Sequence, residues 1–399
     1  MSPAHPRIPG RRLLHSPGPT PLPDAVLQAM SSQPMDLGDP RVDATIAACE
    51  QGLRRLLHTR DADVFLYAAN GHGVWEAVVE NLAAPGESVL VPGTGHFSES
   101  WAVQTEALGR SVQRTPWREG WPIDADTVEQ VLRDDRSHGI QAVFAVHTDT
   151  ASGVTSDIAA LRRAIDAAKH PALLVADVVA SLGAAPFMMD ALGVDVAVGA
   201  SQKGLMCPPG AGFVAVNQRA MAQAERNPAP RFYWDWVRRK SELSYRKFCG
   251  TAPQNLLMGL QAALGLIFDE GLEAVWQRHA QLAAAVQAAV EGWREGGALD
   301  FFAQAPASRS TSVTTITVAA GIDVDALRQV ARERFQVAMA GGLGPLAGRA
   351  FRIGHLGDCN PGMILGAIAG VEAALVSRGI PVGDGGTRRA VLSLAAAGT

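Results

Sequence analysis

Between residues 64 and 216 short apolar runs alternate with helical patterns, and this alternation constrains the fold more than any other feature of the chain. The runs at 64–67, 88–91, 141–146, 173–176 and 194–198 read as strands, and the stretches 71–82, 99–108 and 158–168 carry helical spacing. Strands that are almost wholly apolar are buried on both faces, and helices between them are the crossovers of a mostly parallel sheet. The run at 213–216 follows Pro208-Pro209-Gly210 and is predicted to return antiparallel. From about 255 the pattern changes to long helices at 255–268 and 272–293, then strand 312–318, helix 324–335, a glycine loop at 341–344, strand 351–353 and helix 362–377. The fold class expected is therefore α/β, with a large, mainly parallel-sheet domain at 24–255 and a smaller C-terminal α/β domain at 256–382. Residues 1–23, rich in Pro, Gly, Arg and His, are expected to be extended, and 383–399 to form a flexible tail.

Two strand ends carry the chemistry. The run Val196-Ala197-Val198-Gly199-Ala200 passes through Ser201-Gln202 and presents Lys203; one strand–helix–strand excursion upstream, Leu173-Leu174-Val175-Ala176 ends on Asp177. Ligands of open α/β sheets bind at such carboxyl ends. A lysine and an aspartate there suit pyridoxal 5'-phosphate: the lysine forms the Schiff base, and the aspartate keeps the pyridine nitrogen protonated. Asn70-Gly71-His72-Gly73 lies between a strand and a helix, where backbone N–H groups form an anion site suited to the phosphate. Phe97, after the strand ending at Val91, is placed to stack on a flat ring or to anchor a core. Hydroxyls cluster in His147-Thr148-Asp149-Thr150-Ala151-Ser152, with His147 either packed or facing the site. Arg352 interrupts the apolar run Ala350-Phe351-Arg352-Ile353 and needs either an internal acid or a substrate carboxylate.

Other chemistries lack support. There is no H-E-x-x-H pattern, so no metal site is expected, and Ser152 and Ser181 lie outside any G-x-S-x-G elbow. With 35 basic against 39 acidic residues the chain has no electrostatic footprint for nucleic acid. No apolar stretch reaches membrane-spanning length, the start of the chain lacks a signal-peptide core, and four scattered cysteines read as free thiols. A cytoplasmic location is the expectation.

Taken in order, these motifs resemble the class V branch of fold-type I pyridoxal-phosphate aminotransferases, most closely the serine–glyoxylate and alanine–glyoxylate group. The resemblance runs from about residue 11 to 382, through Ser16-Pro17-Gly18-Pro19-Thr20, Ser152-Gly153-Val154-Thr155-Ser156-Asp157, Ala176-Asp177-Val178-Val179-Ala180-Ser181, Ser201-Gln202-Lys203-Gly204, Gly341-Gly342-Leu343-Gly344 and Phe351-Arg352-Ile353-Gly354-His355. It implies that Lys203 carries the Schiff base and then moves protons as general acid and base. Asp177 would pair with the pyridinium, Val179 and Phe97 would cover the two ring faces, and Thr150 would lie near the ring oxygen. Gly71, His72 and Gln202 would hold the phosphate, with Asn70 beside them. Thr251 would reach the phosphate of a neighbouring subunit, which implies a homodimer, or a tetramer built from dimers, with composite sites. Arg352 would bind the substrate carboxylate, and Pro17 and Gly18 would wall the substrate pocket. The chain departs from the family pattern where Asn70 replaces a serine and His72 a threonine. The activity implied moves an amino group from a small amino acid, L-serine first and L-alanine second, to glyoxylate. The alternatives are a pyridoxamine–pyruvate or aminophosphonate transaminase, or a lyase or desulfurase of the same fold, for which Cys359 would be the candidate cysteine.

Overall fold

The computed structural model describes residues 10–397. Its centre is a seven-stranded sheet in the spatial order Asp63–Ala68, Ala211–Val216, Val196–Ala200, Leu173–Asp177, Ile140–Val146, Ser88–Val91, Ser111–Arg114. Ala211–Val216 runs antiparallel to both neighbours, as expected from the Pro-Pro-Gly turn, and the remaining pairings are parallel. The inner strands Leu173–Asp177 and Val196–Ala200 are buried at every residue. Side chains on a strand alternate between faces. Leu174, Ala176 and Ala197 join one apolar layer, with the helices Pro40–Leu56, Ile158–Ala167 and Gln254–Glu270; Leu173, Val175, Val196 and Val198 join the other, with Gly71–Leu82 and His96–Ala107. That two-sided burial is why these strands read as unbroken apolar runs.

The edge strand Ser111–Arg114 and the helix Ala125–Asp134 carried no clear signal. The edge strand is mostly exposed and polar, so it lacks the apolar run that marks its neighbours. Helix His96–Ala107 starts three residues before the expected stretch, so Phe97 belongs to a helical first turn and not to a loop.

A second sheet has the order Leu13–His15, Val337–Gly341, Ala350–Gly354, Val313–Val318, Leu299–Phe301. Leu13–His15 pairs in parallel with residues 337–339, so part of the N-terminal segment is an edge strand of this C-terminal sheet. Residues 1–9 of that segment lie outside the described residues. The flexible tail expected at 383–399 is corrected within the described residues: Gly386–Ala396 is a helix, and it packs against Leu272–Trp293. Its alanine-rich sequence has little intrinsic signal, and tertiary packing of one face supplies the stability. Ala390 is fully buried, and Glu372 Oε2 accepts from Trp293 Nε1 at 2.8 Å and from the Thr387 N–H at 2.7 Å and hydroxyl at 2.9 Å. No helix among the described residues is long and apolar enough to cross a membrane.

Candidate active site

The carboxyl ends of the central strands open onto a cavity of about 300 Å³. Asp177 is the last residue of its strand and lies in register with Val146 on one side and Val198 on the other. Lys203 comes three residues after its strand ends at Ala200, and Gly71 three after Ala68. The local folding rule is the same in each case: the strand is held by the core, and its first polar residues emerge where the sheet stops.

Lys203, Asp177, Asn70, Gly71, His72, Phe97, Thr150, Val179, Gln202 and Gly18 all line this cavity. Sequence motifs separated by as much as 185 positions are thus brought to one place. Pro17 reaches the same point through its carbonyl, which accepts from Lys203 Nζ, and Thr150 Oγ1 lies 3.4 Å from that nitrogen. Gly18 has φ +119°, and a Cβ there would sit 2.5 Å from Lys203 Cδ. Both the backbone angle and the close approach require glycine.

Asp177 is 4% exposed and Lys203 8% exposed. Burial raises the Asp177 carboxyl to about 6, with the negative charge of Asp149 adding to the rise; the Val179 N–H at 2.7 Å and the Trp75 indole N–H at 2.8 Å oppose it. Burial lowers the Lys203 amine to about 7, helped by the positive charge of Arg352 and opposed by Asp177 and Asp149. Desolvation penalises the charged form of each group. A lysine that loses its proton near neutrality is a competent nucleophile and base.

Arg352 sits behind Thr150. Its Nε donates to Gly341 O at 2.8 Å and its Nη1 to Thr150 O at 3.0 Å. Among the described residues no carboxylate lies within ion-pair distance of it, and the buried acid whose negative charge supports the guanidinium is Asp149. Burial pulls its guanidinium down to about 10. His147 is resolved as packed: its Nδ1 bonds Ser181 Oγ at 2.8 Å, and burial lowers it to about 4. Thr251 is exposed and does not line the cavity of its own chain.

Several lining residues had no separate sequence signal. Trp75 reads as an ordinary apolar helix position, and Val146 and Ala180 as core. Asp149, fully buried, escaped notice although it stands inside the hydroxyl cluster. It accepts from the Phe97 and Ala151 N–H groups, each at 2.8 Å, and from Ser152 N–H at 3.2 Å. It therefore ties the helix start that carries Phe97 to the turn that carries Thr150.

The residues present fit pyridoxal phosphate. An acceptor carboxylate and a near-neutral amine face one cavity, and the first turn of helix Gly71–Leu82 holds no acidic residue that would repel a phosphate. The amide oxygen of Gln202, at the cavity wall, is buried without a hydrogen-bond partner. The donors that Gln202 could turn toward a phosphate are the N–H groups of the same amide.

The class-V aminotransferase profile matches residues 12–345. The serine–glyoxylate aminotransferase of Methylorubrum extorquens is 40% identical over 386 residues, covering 95% of this chain and 94% of the relative. The L-aspartate–glyoxylate aminotransferase of Paracoccus denitrificans is 40% identical over 368 residues, 92% of this chain and 91% of the relative. Among solved structures, the ureidoglycine–glyoxylate aminotransferase of Bacillus subtilis superposes with a TM-score of 0.88 at 25% identity, over 98% of this chain and 100% of that one. With this agreement in sequence, fold and site chemistry, the chain belongs to the class-V aminotransferase family and is a pyridoxal-phosphate-dependent aminotransferase.

Proposed function

We propose that this aminotransferase moves the amino group of a small amino acid, L-serine before L-alanine, to glyoxylate, giving glycine and the corresponding 2-oxo acid. The observation that carries the reading is Arg352, a desolvated guanidinium with no carboxylate in ion-pair contact among the described residues, fixed beside Thr150 and near Lys203. An arginine fork matches a carboxylate in two parallel hydrogen bonds, and every 2-amino and 2-oxo acid offers one. Arg352 stands behind the wall of the cavity, reaching it through Thr150, and the basic side chains at the wall itself are Lys203 and His72.

When bound, pyridoxal phosphate supplies the aldehyde that carries the amino group and the ring that takes up the electron pair of the substrate's α-carbon. Lys203 would hold it and move the α-proton at Nζ, a role suited to an amine near neutrality. Asp177 would face the ring nitrogen, Phe97 and Val179 the ring faces, Thr150 the ring hydroxyl. Gly71, His72 and Gln202 would take the phosphate with Asn70, whose Oδ1 caps the helix through Gly73 N–H at 3.2 Å. Pro17 and Gly18 would wall the substrate side. The large domain would span 24–255 and the small one 256–382, in a cytoplasmic enzyme.

Dimerisation with composite sites belongs to the same proposal. Thr251 faces outward, and the segment before it exposes Phe232 by 59%, Leu243 by 60% and Tyr245 by 62%. Large apolar side chains grouped on a surface are a contact signature. The desulfurase alternative is disfavoured: Cys359 is buried, its thiol donates to Leu356 O at 3.5 Å, and burial pushes it up to about 12. A desulfurase needs a mobile thiolate.

The test is the absorption spectrum of the purified protein before and after L-serine, with no 2-oxo acid present. A yellow band that fades with serine and returns with glyoxylate is the expected result. A band that ignores serine but fades with alanine or aspartate changes the donor, and one that answers only to pyridoxamine overturns the amino-acid reading.

A further inference from the structure

The tryptophans use their indole N–H groups unequally: those of Trp101, Trp117 and Trp276 are buried without a partner, whereas Trp234 donates to Glu76 Oε1 at 3.0 Å and Trp293 to Glu372 Oε2 at 2.8 Å. Trp75 also donates to a carboxylate, and its partner is the one that lines the cavity. Its Nε1 donates to Asp177 Oδ2 at 2.8 Å, while Asp177 Oδ1 accepts from Val179 N–H at 2.7 Å. Each carboxylate oxygen thus has one protein donor and retains one acceptor position, and Asp177 borders the cavity.

The indole is also immobilised. Trp75 stacks on Trp101 with ring centroids 5.2 Å apart and planes 10° apart, and Trp101 stacks in turn on Phe144 at 4.6 Å and 12°. Phe97 meets Trp75 edge-on at 6.3 Å, and the His72 ring lies 4.5 Å away. Packing alone explains Trp101, which fills the stack and donates to nothing. It does not explain why the next indole in the stack aims its single donor at the one carboxylate of the site that faces the cofactor ring.

We infer that Trp75 is a positioning residue for Asp177: its indole N–H fixes the plane of the carboxylate so that the free acceptor positions point at the pyridine nitrogen of the cofactor. The inference rests on pyridoxal phosphate being the cofactor. A charge-assisted hydrogen bond in a buried site is directional and strong, so a rigid neutral donor holds the anion without competing for the ring's proton. A lysine or arginine in its place would neutralise Asp177 and weaken its hold on the pyridinium. Trp75 therefore acts through Asp177, and its contribution should depend on the ring nitrogen being there.

The experiment measures equilibrium binding of two probes to the apoprotein: pyridoxal phosphate, and its analogue with carbon in place of the ring nitrogen. Trp75→Phe keeps an aromatic ring and removes the donor. It is expected to weaken pyridoxal phosphate by about tenfold or more while leaving the carbon analogue within about twofold of wild type. Trp101→Phe, which removes an indole of the same stack but no hydrogen bond, should leave both affinities unchanged. Equal weakening of both probes by Trp75→Phe would mean that Trp75 only shapes the cavity, and would overturn the inference; so would no weakening of either. If Trp75→Phe does not fold, indole ¹H–¹⁵N spectra of the wild-type protein decide. One indole N–H resonance should move on binding pyridoxal phosphate and stay near its apoprotein position with the carbon analogue; identical shifts with both sink the idea. Wild-type protein that binds neither probe would instead remove the cofactor assignment itself.

Discussion

At the scale of single residues the site is governed by desolvation. Lys203 and Asp177 are taken out of water by the same strand ends that position them, and burial moves their proton affinities toward each other, to about 7 and about 6. The sign for Lys203 follows directly: its amine is protonated and inert below about 7, and neutral and nucleophilic above. The rate at which apoprotein captures pyridoxal phosphate should thus rise about tenfold per pH unit below neutrality and level off above about 7, as read by growth of the yellow band. An unperturbed lysine would continue to gain rate toward its ordinary value near 10.5, and that profile would show that the cavity does not desolvate Lys203. The sequence revealed the identity of this pair through position alone, a lysine and an aspartate at the ends of apolar runs. It could not reveal Asp149 or Trp75, because the tie from Asp149 to the Phe97 N–H joins segments far apart in the chain and an indole in a helix looks like core.

Two elements make specific demands. The segment Ser16-Pro17-Gly18-Pro19 crosses from the small sheet to the cavity, and Gly18 lets it pass against the Lys203 side chain. Gly18→Ala would add about 1–3 kcal/mol of backbone strain and drive a methyl group into Lys203. The expected outcome is a lower melting temperature together with a marked loss of bound cofactor; a variant that loads fully would show that the segment moves aside freely. The helix Gly386–Ala396 makes a different demand. Glu372 collects three donors on one oxygen to hold it, so Glu372→Ala should destabilise the protein by about 2–3 kcal/mol. Urea unfolding measures the loss, and new proteolytic cutting near residue 383 would locate it. Neither the helix nor its latch was legible beforehand, because a short Ala-rich stretch after Gly-Asp-Gly-Gly has no periodic pattern strong enough to outweigh its turn residues.

For the whole molecule the open question is how many chains make one site. Thr251 cannot serve its own cavity where it stands, and the composite reading makes a test by complementation. Lys203→Ala and Thr251→Arg chains should each be weakly active alone. Unfolded together and refolded, they should recover activity, since a mixed dimer contains one site with an intact lysine from one chain and an intact threonine from the other. No recovery beyond the sum of the two would sink the shared site. The two sheets also meet through the site itself: Leu13–His15 pairs with the small sheet, and Arg352 of that sheet bonds the carbonyl of Thr150. Under the proposed roles, the arginine that meets the substrate carboxylate stands on the small sheet, and the lysine and aspartate that meet the cofactor stand at the ends of the large one.

By itself the sequence determined six of the seven strands of the large sheet, the antiparallel return of Ala211–Val216, and the lysine–aspartate pair. Those features are written locally, in apolar runs long enough to be buried and in the residues that end them. What only the tertiary structure decided is which distant groups share one place: the pairing of Leu13–His15 with a strand over three hundred residues away, the backbone carbonyls of Gly341 and Thr150 that hold Arg352, and the indole N–H donated to Asp177. Such contacts join segments far apart in the chain, and no local pattern records a partner that only folding brings within hydrogen-bonding distance.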